Sequence, residues 1–198
     1  MHSRLSDFIE ARAAETYPEP RTFGHDDLTR QMAEIVAKHL PIGARIWDVG
    51  CGEGPALEWF TAHGFKPFGT CMNSSDRDAC LARGYEVRCE DMHENYVGDS
   101  AVDCVWARHV LEHSVIPFFV LHEFARVLKP GGILYAEMPA PETACLHENN
   151  PNHYSVLTLG MWQSLISRAG FDILETRRIC LATGAGPDVY HSIIAKKL

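Results

Sequence analysis

Ile46-Trp47-Asp48-Val49-Gly50-Cys51-Gly52-Glu53-Gly54 decides the fold of this chain. An apolar strand ends in an acid and breaks into glycine at alternate positions, so the backbone can turn sharply and lie directly against a ligand. Pro55 suits the first turn of a following helix, whose free N–H groups favour an anionic group on that ligand. A dinucleotide fingerprint would place its third glycine where Pro55 stands. A Walker loop would need Gly-Lys-Ser/Thr, yet no lysine lies between Lys38 and Lys66. The stretch marks a nucleotide-type pocket of another kind.

Outward from it, Leu28, Met32, Ile35, Val36 and Leu40 recur at helical spacing after Asp26 and stop at Pro41 and Gly43. The pattern then predicts strands over 44–50, 65–70, 85–89, 102–107 and 132–138, with helices over 55–63, 74–82, 117–128 and 158–169. Such alternation implies parallel pairing in a doubly wound α/β sheet with helices on both faces. Strands over 171–179 and 188–196 are separated only by residues 182–187, which predicts a hairpin and one antiparallel strand. Residues 139–157, rich in proline and asparagine, form a long loop after the carboxyl end of a strand, where ligands of open α/β sheets bind. Residues 26–198 read as one domain, and residues 1–25, with Pro18 and Pro20, as an arm or short helix crossing it.

Composition narrows the function. The 198 residues are 46% hydrophobic and 22% charged, an ordinary globular balance with enough chain for a full core. Seven scattered cysteines, never in a C-x-x-C pair, indicate neither a disulfide framework nor a zinc cluster. No apolar run approaches the roughly 18 residues of a membrane span, and the N-terminus lacks a signal-peptide core, so a cytoplasmic protein without a membrane partner is expected. A formal charge of −8 speaks against a phosphate-binding surface. The expected substrate is a small molecule, not a nucleic acid.

Four phrases stand in a fixed order: Asp48-Val49-Gly50-Cys51-Gly52, Glu90-Asp91-Met92, Val102-Asp103-Cys104-Val105 running into His109-Val110-Leu111-Glu112-His113, and Leu128-Lys129-Pro130-Gly131-Gly132. Together, over about residues 26–198, they closely resemble the small single-domain class I S-adenosylmethionine (SAM)-dependent methyltransferases. The resemblance implies a Rossmann-like seven-stranded sheet in the order 3-2-1-4-5-7-6 with strand seven antiparallel, and SAM as cofactor. It further implies that Asp48, Gly50, Cys51 and Gly52 line the methionine and ribose part of the cofactor. Asp91 and the Met92 backbone would hold the adenine edge, Met72 would wall it, and Ala107 and Arg108 would give backbone contacts to the methionine ammonium. The family usually ends strand two with an acid for the ribose hydroxyls. Cys71 stands there in this chain, with Asn73 and Asp76 as possible substitutes.

The phrase His109-Val110-Leu111-Glu112-His113 also matches the H-x-x-E-H pattern of inverted zinc peptidases. It follows a strand directly instead of lying in a long helix, and no third ligand has a characteristic spacing, so no metal is expected. The end of strand four, Trp106-Ala107-Arg108-His109, lacks the Asn/Asp-Pro-Pro-aromatic phrase typical of methyltransferases acting on base amino groups. The expected reaction is methyl transfer to a small-molecule acceptor, with His109 and then His153 as candidate general bases. Two alternatives follow from Cys71: a module that holds SAM or its demethylated product without transferring a methyl group, and an enzyme that cleaves SAM.

Overall fold

In the computed structural model, residues 4–13 and 23–198 are described. Helix α1 (Arg4–Ala13) is followed by α2 (Phe23–Ala37), then β1 (Arg45–Val49), α3 (Pro55–Ala62), β2 (Lys66–Cys71), α4 (Ser74–Ala82) and β3 (Val87–Cys89). The second half runs β4 (Val102–Arg108), α5 (Pro117–Val127), β5 (Leu128–Pro139), α6 (Leu159–Arg168), β6 (Phe171–Thr183) and β7 (Gly186–Lys197). Pro18 and Pro20 of the expected arm lie outside the described residues, and α2 begins at Phe23, just before the expected boundary.

The strands form a sheet of order β3-β2-β1-β4-β5-β7-β6, as expected. β1 pairs in parallel with β2 and β4, β2 with β3, and β4 with β5, while β7 runs antiparallel to both β5 and β6. Leu128-Lys129-Pro130-Gly131-Gly132, expected at the end of a helix and before the strand over 132–138, belongs to β5 as an irregularity. Val102 pairs with Leu128, and the next match, Cys104, skips to Ile133. A bulge of this kind absorbs extra residues without losing the register beyond it.

Side chains of a strand alternate between faces, and here both faces are covered. Trp47, Val49, Val105, Ala107, Leu134 and Ala136 pack on one side with Leu121 and Phe124 of α5 and Trp162 and Ile166 of α6. Ile46, Cys104, Trp106, Ile133 and Tyr135 pack on the other with Met32, Ala33 and Val36 of α2 and Phe60 of α3. Trp47 and Trp106 are fully buried at the centre of these two layers. Continuing the second series by two places reaches Asp48, Arg108 and Glu137. Three adjacent central strands thus carry a charged residue near their carboxyl ends, on the face that carries α2.

Candidate active site

The carboxyl ends of β1, β2 and β4 open into a cavity of about 240 Å³. Its lining includes Gly50, Cys51, Gly52 and Pro55, followed by Cys71, Met72, Asn73 and Asp76, and then Glu90, Asp91 and Met92. Arg108, His109, His113 and Tyr154 close it from the other side, and Ile9, Arg12, His25 and Asp26 of α1 and α2 cover it. Gly50 is at φ +69°, and a Cβ there would come within 2.2 Å of Val110 Cγ1. Only glycine fits this turn, because both the left-handed backbone and the packing exclude a side chain.

Of the residues expected at the cofactor, Gly50, Cys51, Gly52, Cys71, Met72, Asp91, Met92 and Arg108 line the cavity. Asp48 and Ala107 are buried in their strands and are not part of that lining. Ala107 pairs with Val49 and Ala136 in the sheet. Asp48 directly precedes the lining residue Val49, and its Oδ2 has no hydrogen-bond partner among the described residues. Burial first, and then the neighbouring Cys80 thiol, push its carboxyl well above the usual range, against the pull of Arg108.

Arg108 is only partly partnered. Its Nε lies 2.9 Å from Glu137 Oε1 as an ion pair, and its Nη1 donates to Thr29 Oγ1 at 3.2 Å. Its buried Nη2 has no partner among the described residues. A buried guanidinium donor and a buried carboxyl oxygen therefore stand beside the glycine loop, each costly to leave unsatisfied. The aminoacyl end of SAM carries a carboxylate and an ammonium, which match this donor and acceptor in kind. The residues present fit that cofactor.

The second cluster was not visible to the sequence reading. Glu137 is fully buried in β5, and His109 Nε2 lies 2.7 Å from its Oε1, while the Tyr135 hydroxyl donates to Oε2. Burial pushes the Glu137 carboxyl up, but the hydrogen bond from His109, the Arg108 charge and the hydrogen bond from Tyr135 oppose it, and the carboxyl is held at about 2. His109 adopts φ 55°, a conformation rare for a residue with a side chain, and its N–H donates to the Glu137 carbonyl at 2.9 Å. Tyr190 stacks on its ring at 4.4 Å and His25 meets it edge-on at 5.9 Å. Glu137 could have been found in the sequence as an acid inside an otherwise apolar buried strand.

His153 is not at the cavity wall. It sits in the 140–158 loop, with Nδ1 3.0 Å from the His147 carbonyl, and its neighbour Tyr154 is the one that lines the cavity. At the ribose end, Cys71 is buried and its thiol points to the Asn73 carbonyl at 3.3 Å. Asn73 Oδ1 is engaged as the cap of α4, accepting from Ser75 N at 2.8 Å and Ser75 Oγ at 2.7 Å. Asp76, in the first turn of that helix, faces the cavity with its carboxyl raised by burial and by the nearby Glu53 charge.

Comparison with known proteins agrees with this geometry. Residues 47–136 match a family model described as a methyltransferase domain. Over 167 residues the chain is 26% identical to the 27-O-demethylrifamycin SV methyltransferase of Amycolatopsis mediterranei, covering 74% of this chain and 61% of that protein. The curated relatives it matches are longer: the chain spans 61%, 39% and 62% of three of them. A SAM-dependent methyltransferase structure from Archaeoglobus fulgidus superimposes with a TM-score of 0.71 at 19% identity, over 87% of this chain and 94% of that one. The [4+2]-cyclase SpnF has the same fold, with a TM-score of 0.70 at 22% identity over 85% of this chain and 80% of that one. The sheet order, the glycine loop and the methyltransferase domain matched over residues 47–136 agree with one another, and in fold and matched domain the chain is similar to the class I S-adenosylmethionine-dependent methyltransferases.

Proposed function

We propose that this protein transfers the methyl group of SAM to an oxygen nucleophile on a small molecule. The observation that carries this reading is the pair of buried, unsatisfied atoms, Asp48 Oδ2 and Arg108 Nη2, beside the glycine loop. When bound, the cofactor supplies a methyl group already activated on a sulfonium. The chain's own residues then have to bind it, orient the acceptor, exclude water and take a proton. His109 is placed for the last task. With Nε2–H directed at Glu137, its lone pair is on Nδ1, and Glu137 fixes that tautomer as the acid of a hydrolase triad fixes its histidine. The loop over 140–158 and helix α1 are the parts that would shield the reaction from solvent.

Asp76 is our candidate for the ribose partner in place of the missing acid at position 71, because Asn73 is committed to its helix cap. Replacing Asp76 with Asn should weaken SAM binding by about tenfold or more, since hydrogen bonds to charged groups contribute roughly 1.5–3 kcal/mol. Adding Cys71→Asp in that background should recover most of the loss, because the new carboxylate enters the same wall. Calorimetric titration of the three proteins checks this, and an unaltered affinity in Asp76→Asn would remove Asp76 from the site.

The reading includes a small-molecule acceptor and a cytoplasmic setting. Its support is the charge of −8, the absence of any helix long and apolar enough to cross a membrane among the described residues, and cysteines that are all free there. Incubation with methyl-labelled SAM and a panel of hydroxyl-bearing metabolites should release demethylated cofactor together with a labelled product. His109→Ala should slow that transfer by about 10²–10⁴-fold with SAM affinity retained. Cofactor binding without transfer to any acceptor would favour the holding module that Cys71 suggests, and label released without an acceptor would favour cleavage.

A further inference from the structure

One side-chain cluster beside the cavity is not used by the reaction described above. Glu112 and His113 close the short 3-10 turn Leu111–His113 after β4, and His153 comes from the 140–158 loop, some forty residues later in the chain. One ligand atom from each of the three lies within 4.8 Å of the other two. Glu112 is buried and the two histidines are half-buried. The loop is fastened at this point, since Ser155 N donates to the Glu112 carbonyl at 2.9 Å and Ser155 Oγ to the Ser114 carbonyl at 2.7 Å. The three side chains are thus brought together by main-chain bonds on both sides of the junction.

The imidazoles are also oriented. His113 Nδ1 is 2.9 Å from the Asn152 carbonyl, and His153 Nδ1 is 3.0 Å from the His147 carbonyl. A carbonyl only accepts, so each Nδ1 carries the proton and each Nε2 the lone pair. The surroundings of His153 agree. Asn150 Oδ1 accepts from Asn152 N at 3.0 Å, which turns the Asn150 Nδ2 donor toward His153 Nε2 at 3.2 Å. Histidines whose outer nitrogen is held by a backbone carbonyl are the usual form of an imidazole metal ligand.

From this geometry we propose that Glu112, His113 and His153 bind a divalent first-row transition metal of the zinc or iron type. Two imidazoles and one carboxylate suit such an ion better than magnesium or calcium, which prefer all-oxygen shells. Binding would displace the Asn150 donor from His153 Nε2. Three protein ligands leave at least one coordination position for water or a substrate oxygen. Because His113 and Tyr154 line the cavity, the ion would stand at its wall. The added role there rests on the methyltransferase reading: an acceptor with a hydroxyl or carboxylate oxygen would be held, and a hydroxyl made more acidic, by the metal. A second group, Cys145, His147 and Asp188, is also close enough to hold an ion. It is already closed on itself, with His147 Nε2 3.0 Å from both Asp188 oxygens and Cys145 Sγ 3.3 Å from Thr183 Oγ1.

The test uses the full chain stripped of metal with a chelator, titrated with cobalt(II) and followed by its visible absorption, without SAM. We expect one cobalt per chain, displaced by zinc. Glu112→Gln and His153→Ala should each weaken binding by more than the roughly 10–100-fold that loss of an outer partner costs, and Cys145→Ser should leave it unchanged. His153→Ala alters a half-buried loop side chain, and an unchanged thermal transition in that variant separates lost ligation from lost folding. No cobalt bound by the wild type, binding retained in both ligand variants, or binding lost in Cys145→Ser would each overturn the inference. SAM affinity measured on the same stripped protein keeps the two readings separate. A chain that binds SAM but no cobalt loses this site and keeps its methyltransferase reading.

Discussion

Replacing Glu137 with alanine is expected to destabilise the protein by about 3–5 kcal/mol, the cost of breaking a buried ion pair by removing one partner. The carboxylate is fully buried, and without it the Arg108 guanidinium, whose side chain is only 10% exposed, keeps its charge with Thr29 Oγ1 as a hydrogen-bond acceptor. Tyr135 and His109 lose their acceptor in the same step. Chemical denaturation of both proteins at neutral pH measures the effect. Glu137→Gln keeps the shape and loses the charge, so it separates packing from electrostatics and carries a pH signature. The folded carboxyl is held at about 2, below its ordinary 4.5. Its contribution is therefore complete above the ordinary value and is lost as pH falls toward 2, so the stability gap between wild type and Glu137→Gln should narrow over that interval. A gap that widened there would mean that the carboxylate is not the stabilised form.

The second large effect is expected at the glycine loop, where two neighbouring positions should fail differently. Gly50→Ala must accommodate a Cβ 2.2 Å from Val110 Cγ1 at φ +69°. The left-handed backbone costs roughly 1–2 kcal/mol and the overpacking about 1–3 kcal/mol, so both stability and SAM binding should fall. Gly52→Ala is at φ +51° with no protein atom within 4 Å of its Cβ. Its stability should drop only by the backbone cost, about 1–2 kcal/mol, because the new methyl meets no protein. Gly52 nevertheless lines the cavity, so its affinity for SAM should fall at least tenfold. Thermal unfolding and calorimetry on the two variants give the contrast. Equal loss of stability in both would contradict the packing contrast, and an unchanged SAM affinity in Gly52→Ala would mean that the open space at Gly52 is not a ligand site.

Most of the sheet was legible because its signal is local. Strand four, Val102-Asp103-Cys104-Val105-Trp106-Ala107-Arg108, is an apolar run between turn residues and has the extent its sequence suggests, one residue apart. The terminal hairpin was recognisable in kind but not in length. Residues 182–187 look like a loop, yet Thr183 pairs with Gly186, and Gly184-Ala185 alone makes the turn. Pro187 is tolerated in β7 because the pairing of β7 with β5 ends at Tyr190, so no strand needs its missing N–H on that side. The charged ends of three strands depended on register, which no single segment contains. Arg108 meets Glu137 only because Cys104 pairs with Ile133 after the bulge, and the bulge lies in a phrase that the sequence pattern leaves between a helix and a strand. His153 shows the same limit. Its place in the long loop was clear, but the bonds that fasten that loop beside Glu112 and His113 run from Ser155 to the Glu112 and Ser114 carbonyls, some forty positions away.

Calorimetric titration of the purified chain with SAM and with its demethylated product tests the central claim most directly. A pocket lined by the glycine loop and Arg108, with Asp48 buried behind it, should bind both ligands with one site per chain in the micromolar range, and Gly52→Ala should weaken both while remaining folded. A folded wild-type chain that binds neither ligand would contradict the account, because the unsatisfied donor and acceptor at the strand ends would then serve some other molecule.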